Sequence, residues 1–519
     1  MADYYPTQED INILTRHIRT PKVNVFILDF GLKTLGVIKG TLTSEDLSIN
    51  VDSDIRKTAS LSMIVKDNTV DLGENKNIWL NRLVRIEFEI FNEATNKNLK
   101  YNRGIYVLSD YSLLYSSTQY SLSINLTDQI SLYNGDISGS LGEYGSTVTK
   151  ILSSECETIR DAMIAVCKIA NITDFRISDT KKDFPYDLEF SHSQTIWDMI
   201  VAIRDLFPGW EAFFDIDGTF VFQEIPTCEN DPIVLDSEVL KKIVAEETSS
   251  VDILNVKNAT KVWGKCIESD YYANSVDYSN GTYTANFSSL PIENDGTLST
   301  GIKLAIPIKT SNVKSPKIVI KNTVSEKTTT IGTFNIVDDS ELSIDENILE
   351  AGCTYVFRHR RNKMFLMGQW QIAAACILVA SEPTIEEKEN DYKIKGTKNI
   401  IYTVNPDSPF CREYIGERVQ SLSGGDCDDI DSEQKVKERA EYENWRSSRT
   451  AYTTTLNCLY VPFLYGNEKI GYELKSTGEK KEWIVKSING SWIKQEMTLT
   501  LSEFYPLYPF IVSNEEGSE

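Results

Sequence analysis

The chain has 519 residues, 41% hydrophobic and 25% charged, which is too long for one hydrophobic core and ordinary for a globular protein of roughly three or four domains. Its 76 acidic residues against 53 basic ones give a formal net charge of −23, which argues against tight binding to phosphate backbones or acidic membrane surfaces. No stretch approaches the ~20 apolar residues of a membrane span, the start MADYYPTQED lacks a signal-peptide core, and nine cysteines without a C-x-x-C pair read as reduced and mostly buried in a chain made in the cytosol.

Residues 1–22 read as a polar N-terminal leader. From 23 to 149 short segments alternate apolar and polar positions. In VRIEFEIFN, Val84, Ile86, Phe88 and Ile90 fall on one face and Arg85, Glu87 and Glu89 on the other, the period-two pattern of a half-buried antiparallel strand. SLSMIV, GIYVLSDYSLLY and YSLSINLTD repeat it, so this region is expected to form a β-barrel or curled sheet.

From 150 to 246 a small α+β domain is expected. Ile159, Met163, Val166, Cys167 and Ala170 follow helical spacing, with Ser154 and Glu157 as the capping box. A second helix carries the stripe Ile196, Ile200, Ile203 and Phe207 and ends at Pro208-Gly209. WEAFFDIDGTFVFQEI reads as a hairpin turning at Asp217-Gly218.

Residues 247–264 and 397–510 are expected to form a second β-barrel. Residues 265–396, with long polar connections such as SSLPIENDGTLSTG, are expected to be a β-rich peripheral insertion, and 511–519 a C-terminal tail. The fold class is therefore mainly β with a small α+β part.

The strongest candidate for a metal site is LSGGDCDDIDSEQ, with Asp426, Asp428, Asp429, Asp431 and Glu433 within eight residues. It fails as an EF-hand loop: Ile430 holds a ligand position, Asp431 replaces the required glycine and Lys437 falls where the closing glutamate belongs. Helix capping by Asp431, with Gln434 completing the box, accounts for the carboxylates. Asp215 and Asp217 sit where a hairpin needs its turn. Glu87 and Glu89 imitate a glycosidase pair but belong to a solvated strand face.

Three histidines are present, His17, His192 and His359. His359 lies in FRHRRNK, which reads as a solvated or partner-facing basic patch. No H-E-x-x-H, G-x-S-x-G, Walker or G-x-G-x-x-G motif occurs. No catalytic, cofactor-binding or metal residue is assigned.

Several stretches together carry a resemblance: DIRKTASLSMIV, NIWLNRLVRIEFEI, GIYVLSDYSL, LTDQISLYNGDISGSLG, TIWDMIVAIRDLFPGWEAFFDIDGTFVFQEI and SPFCREYIGERVQSLSGGDCDDIDSEQKVKERAEYENWR. They resemble the baseplate or tail-tip hub proteins of tailed bacteriophages and related contractile particles, over residues 23–264 and 397–510. The resemblance implies two tube-type β-barrels per chain and a homotrimeric ring whose six barrels match a six-fold tail tube. It implies a structural, non-enzymatic virion protein at the tail tip, assembled in the host cytoplasm. Its partners would be the tail tube or distal tail protein, the tape-measure protein and a tip, spike or fibre protein, with DNA only in transit and no membrane insertion.

A channel that passes DNA without holding it should be lined by neutral or negative side chains, and the net charge agrees. The helix expected at 432–449 has a narrow apolar seam, Val436 and Ala440. Its Lys437, Glu441, Arg446 and Arg449 are the candidate subunit-interface residues. The competing reading is a particle-borne or secreted carbohydrate-active, cell-wall-degrading enzyme using acidic residues such as Glu87, Asp215 or Asp428. A third reading is a passive carbohydrate-binding tip protein.

Overall fold

The structure is a computed structural model that describes residues 6–505, outside of which and of this description lie 17–19, 66–72, 75, 81, 117–119, 145–147, 154, 181, 185–186, 207–208, 227–228, 294–295, 340, 381–398, 404–409, 428 and 506–519. The architecture is mainly β, as the alternating pattern predicts.

Its backbone is one twelve-stranded sheet. Numbered within this sheet, its strands are β1 (Pro21–Leu28), β2 (Thr34–Val37), β3 (Gly40–Asn50), β4 (Lys57–Val65), β5 (Leu83–Asn92), β6 (Lys97–Tyr115), β7 (Tyr120–Thr127), β8 (Val244–Asp252), β9 (Ala451–Leu459), β10 (Lys469–Glu473), β11 (Lys480–Ser491) and β12 (Glu496–Glu503). They follow the order β8-β9-β12-β11-β3-β4-β7-β6-β5-β1-β2, with β10 beside β11. Period-two burial forms them: in β4, Ala59, Leu61, Met63 and Val65 are buried while Thr58 and Ser60 are exposed. The first half of the sheet comes from residues 21–127 and the second from 244–252 and 451–503.

The halves join where β3 pairs with β11, through Asn50↔Ser487, Ile49↔Ile488, Ser48↔Asn489 and Leu47↔Gly490. A single hydrophobic core runs beneath both halves. Trp492, fully buried just past β11, stacks on Phe88 of β5 with ring centroids 5.4 Å apart and planes within 5°. Arg103, also buried, reaches from β6 into the second half and donates from Nη1 to the carbonyls of Pro462 (2.8 Å) and Leu464 (3.1 Å). Gly490 is required at the seam, because a Cβ there would lie 2.4 Å from the Glu496 carbonyl oxygen.

The expected leader contains a helix, Gln8–Leu14, capped reciprocally by Thr7 and Asp10. Its Ile13 and Leu14 join the core, and the Tyr101 hydroxyl donates to Asp10 (2.7 Å).

The α+β unit holds helices Ile159–Ile169 and Ile196–Asp205 against a small sheet of Trp210–Phe214, Phe220–Glu224 and Phe175–Ile177. Both helices open with a Thr/Asp capping box, Thr158 with Asp161 and Thr195 with Asp198. The N-cap is thus Thr158 rather than Ser154, which lies outside the described residues as do Phe207 and Pro208. Lys57 of β4 is buried under this unit and donates to the carbonyls of Phe214 (2.9 Å) and Asp215 (2.8 Å), while Arg56 pairs with Glu211 (2.8 Å).

Beyond β8 the pairing departs from the expected boundaries. Ala259–Cys266 pairs with Ala373–Ala380 and with Val419–Leu422, and Asn399–Thr403 flanks Ala373–Ala380, giving a separate four-stranded sheet. The helix Glu433–Ser447 packs on it through Val436 and Ala440. Residues 259–264 and the described part of 399–449 therefore do not lie in the long sheet. The cause is local: the Asp252 carboxylate accepts the amides of Leu254 (3.0 Å) and Asn255 (3.1 Å) and turns the chain away at the end of β8. The chain leaves at Asp252 and returns at Ala451, its direct register partner.

Nested inside that excursion, an eight-stranded sheet spans Tyr271 to Gln369 around its own core. Its two end strands, Tyr271–Tyr272 and Ser275–Ser279, are consecutive in the chain, which brings the two edges of the sheet near one another. Entry and exit again touch: the Ile267 amide donates to the Ile372 carbonyl (3.0 Å) and the Gln371 amide to the Ile267 carbonyl (2.8 Å).

Candidate functional site

One face of the long sheet covers the core and the other faces solvent, and the solvent face has an unusual composition. Register partners line up in rows across both halves. One row runs Glu246, Asn457, Thr498, Asn489, Ser48 and Thr58, from β8 to β4 across the seam. A second runs Thr248, Thr455, Thr500, Ser487 and Asn50. On the first half, Asp46, Ser60, Asn125 and Asp110 form a third row and Ser44, Ser62, Ser123 and Ser112 a fourth.

All of these side chains are exposed or half-buried. They are serine, threonine, asparagine and the carboxylates Glu246, Asp46 and Asp110, and no row holds a lysine or arginine. The rows are hydrogen-bonded laterally. Thr498 donates to Asn457 (2.9 Å), which donates from Nδ2 to Glu246 (2.8 Å); Ser48 donates to Asn489 across the seam (2.5 Å); Ser62 and Ser123 share a bond of 3.0 Å; Asn125 donates to Asp110 (2.8 Å). Each ladder bond spends polar groups on a neighbouring strand and fixes the side chains flat on the sheet. A cleft of about 600 Å³ on this face is lined by Asp46, Ser48, Thr58, Ser60, Asn125 and Thr127, with Asp136 on its rim.

Chemically the face offers hydroxyls, amides and negative charge. It can hydrogen-bond water and it repels polyanions. These rows hold no cationic donor for phosphate: Lys57 and Arg56, next to them in sequence, turn to the α+β unit, Lys486 of β11 pairs with Asp52, and Lys22 of β1 and Lys100 of β6 lie beyond the rows, paired with Glu89 and Glu87.

The residues singled out from sequence are dispersed. In the helix Glu433–Ser447, Arg446 is exposed and Lys437 half-exposed at 4.0 Å from Glu441, whose carboxyl is buried and pushed up by that burial. Arg449 lies just beyond and is held between the rings of Trp445 (4.0 Å) and Tyr505 (3.9 Å). Only part of the expected interface set is therefore available on the surface.

In the acidic stretch the N-cap is Ser432, whose hydroxyl accepts from the Lys435 amide (3.4 Å). The Asp431 carboxylate is instead bound by Arg358 (2.5 Å) and Lys303 (2.7 Å) of the eight-stranded sheet. Asp428 and the side chain of Asp426 lie outside the described residues, and among the described residues there is no cluster of three or more potential metal-ligating His, Cys, Asp or Glu.

Asp215 closes its own hairpin by accepting the amides of Asp217 (2.9 Å) and Thr219 (3.0 Å), with Gly218 at φ +86°. Asn24 bridges Glu87 (3.1 Å) and Glu89 (2.9 Å), and Lys100 lies 3.1 Å from Glu87. His17 lies outside the described residues. His359 is buried, with Nδ1 3.1 Å from the Ser299 carbonyl, and burial lowers its pKa.

The FRHRRNK patch is corrected by the structure: Arg358, His359 and Arg360 are buried, and Arg360 donates to the carbonyls of Phe184 (3.0 Å) and Glu157 (2.6 Å) of the α+β unit.

Sequence reasoning did not single out the polar face, although a signal exists. In TASLSM, SLSINLT, TTTLNC and MTLTLS the outward positions are Ser, Thr or Asn, whereas in VRIEFEI they are charged.

A family described as a domain of unknown function (DUF5048) matches residues 407–508. No curated protein matches the chain. Among solved structures, the chain is similar to the 43 kDa tail protein of prophage MuSo2 from Shewanella oneidensis, at 10% identity and a TM-score of 0.47 over 94% of this chain and 99% of that one. It is similar to a tail protein from Neisseria meningitidis MC58, at 8% identity and a TM-score of 0.42 over 93% and 96% of the two chains. A third likeness is to prophage tail protein gp18 from Listeria monocytogenes EGD-e, at 9% identity and a TM-score of 0.36 over 95% and 98%.

Proposed function

We propose that the chain is a structural virion protein of a phage-type tail tip or baseplate. In this reading it is a hub whose three copies close into a ring, with the polar face of each long sheet lining a channel that DNA crosses. The observation that carries it is the row Glu246, Asn457, Thr498, Asn489, Ser48 and Thr58, which runs from β8 to β4 through both halves without a basic side chain, with three shorter rows beside it that also lack one. A DNA-conducting wall must not collect phosphates, since each lysine or arginine contact releases counterions and adds affinity.

The continuous sheet gives the two halves one shared wall, as two barrels placed side by side in a ring require. Among the described residues its end strands, β8 and β2, each have one neighbour, and in this reading those edges are closed by the next copy. The tail tube or distal tail protein, the tape-measure protein and a tip, spike or fibre protein would contact the ring along its axis. Lys437 and Arg446 are the exposed charges left on the helix for contacts beside it. No catalytic residue is assigned.

Native mass spectrometry of the full chain tests the ring, and particles carrying Ser60→Lys with Thr498→Lys test the lining. Trimers are expected from both proteins, with the lysine variant retaining DNA on the hub and slowing delivery about tenfold or more, as added phosphate contacts imply. Monomer or dimer as the sole species would overturn the ring. Delivery at the parent rate would overturn the lining.

A further inference from the structure

The seam between the halves is held by four register pairs, and both of its flanks carry a buried carboxyl. Glu45, at the end of the β3 pairing, is 3% exposed; its Oε2 accepts the Ser491 hydroxyl (3.0 Å) and the amides of Trp492 (2.9 Å) and Ile493 (3.4 Å), and its Oε1 is buried without a partner. This carboxyl fixes the turn that inserts Trp492 against Phe88. Glu468, 7% exposed, accepts the Tyr465 amide (2.7 Å) and shapes the 460–468 segment that supplies the carbonyl partners of Arg103. Two contacts that lock the halves, one aromatic and one cationic, thus each depend on a buried glutamate.

We propose that this seam is a protonation-controlled latch: Glu45 and Glu468 hold the halves together as neutral carboxyls, and opening of the seam releases their protons. The inference goes beyond the channel reading and does not depend on it.

The charged and titratable groups facing each carboxyl support it. Glu45 meets Asp46 on its own strand and Tyr460 from the segment after β9, while Lys494 of the same turn is solvent-exposed. Glu468 faces Tyr465 and Arg103, and the Arg103 guanidinium is already shared with the rings of Tyr465 (4.7 Å), Tyr460 and Phe88 (both 5.8 Å). Neither carboxyl forms an ion pair within 4 Å among the described residues. Burial pushes Glu45 up to about 7 and Glu468 up to about 8, against an ordinary 4.5.

The sign follows by linkage. A carboxyl whose folded pKa is raised stabilises the closed seam fully below its ordinary value, and that stabilisation drains away as pH rises towards the folded value. The window therefore runs from 4.5 to about 7 for Glu45 and to about 8 for Glu468.

Hydrogen exchange of the β3 and β11 amides in the full chain reads the latch. In the parent, protection corrected for intrinsic rates should fall at least tenfold between about pH 5 and pH 8, and in Glu45→Gln with Glu468→Gln it should fall less than about twofold. No loss in the parent, or equal loss in parent and variant, overturns the proposal. If the double variant does not fold, infrared titration of the parent against each single variant decides. A protonated-carboxyl band persisting above about pH 6 and missing from each variant upholds the latch, and its loss by about pH 5 overturns it.

Discussion

Two joints of this molecule differ in what is added to their apolar contacts, aromatic stacking in one and ion pairs in the other. Where β3 meets β11, the surfaces are apolar: Trp492 lies flat on Phe88, Tyr460 closes on both rings edge-on, and the buried Arg103 donates from Nη1 to two carbonyls and lies against aromatic rings. Where the eight-stranded sheet meets its neighbours, Ala305, Val356 and Met367 join the apolar cluster of the adjoining units, and ion pairs are added to it: Asp431 takes Arg358 and Lys303, and Arg361, already paired with Glu341 of its own unit, reaches Asp183 (2.6 Å). An apolar joint gains free energy in proportion to the area it hides and folds with its core. An added ion pair recovers little beyond its desolvation cost but tolerates only one geometry, so it positions a part more than it stabilises the whole.

Trp492→Ala should have the largest effect. Removing a fully buried, stacked indole costs about 3–5 kcal/mol, and because the core is shared, both halves should melt together at a lower temperature in calorimetry. Two separated transitions would break the picture of a single core.

Asp431→Ala comes next. It leaves Arg358 buried without its carboxylate, a cost of about 3 kcal/mol or more. Here the expected outcome is local: faster proteolysis at the junctions of the eight-stranded sheet, Ile267 and Ile372, with the exchange protection of β3 and β11 unchanged. Loss of protection in the long sheet would show that the two joints are not independent.

The smallest effects come from the helix Glu433–Ser447 and the residues just past it. Arg449→Ala gives up two cation–π contacts and should cost about 1–2 kcal/mol by chemical denaturation, because Tyr505 follows β12 and ties this helix to the long sheet. Arg446→Ala, at an exposed position three residues earlier, should change stability by less than about 0.5 kcal/mol. Equal effects would remove the distinction between a charge absorbed by the fold and one left on its surface.

The two joints also mark where the sequence was readable. Strands such as VRIEFEIFN and helices such as the one after Thr158 announce themselves, because periodicity is local and burial follows it. Cap positions slipped by up to four residues, from Ser154 to Thr158 and from Asp431 to Ser432, since several residues in each stretch have capping side chains and only backbone dihedrals choose among them. FRHRRNK looked like a surface patch because nothing near it is acidic. Its partners, Glu157, Phe184 and Asp431, are between 73 and 203 residues away. The polar face was hidden for the same reason. Its composition is visible strand by strand, but the row that crosses the seam needs the register of Ser48 with Asn489, 441 positions apart.

The path of the chain has one more consequence. Asp252 and Ala451 are register partners, and within that excursion the Ile267 amide donates to the Ile372 carbonyl while the Ile267 carbonyl accepts from the Gln371 amide. The molecule is thus written like nested parentheses, each opening beside its own close. Excising 268–371 leaves two ends already within hydrogen-bonding distance, so the eight-stranded sheet is in effect a cassette. A replacement of any length fits between Ile267 and Ile372, provided its own termini meet, and the wall of the long sheet need not change a residue to carry it.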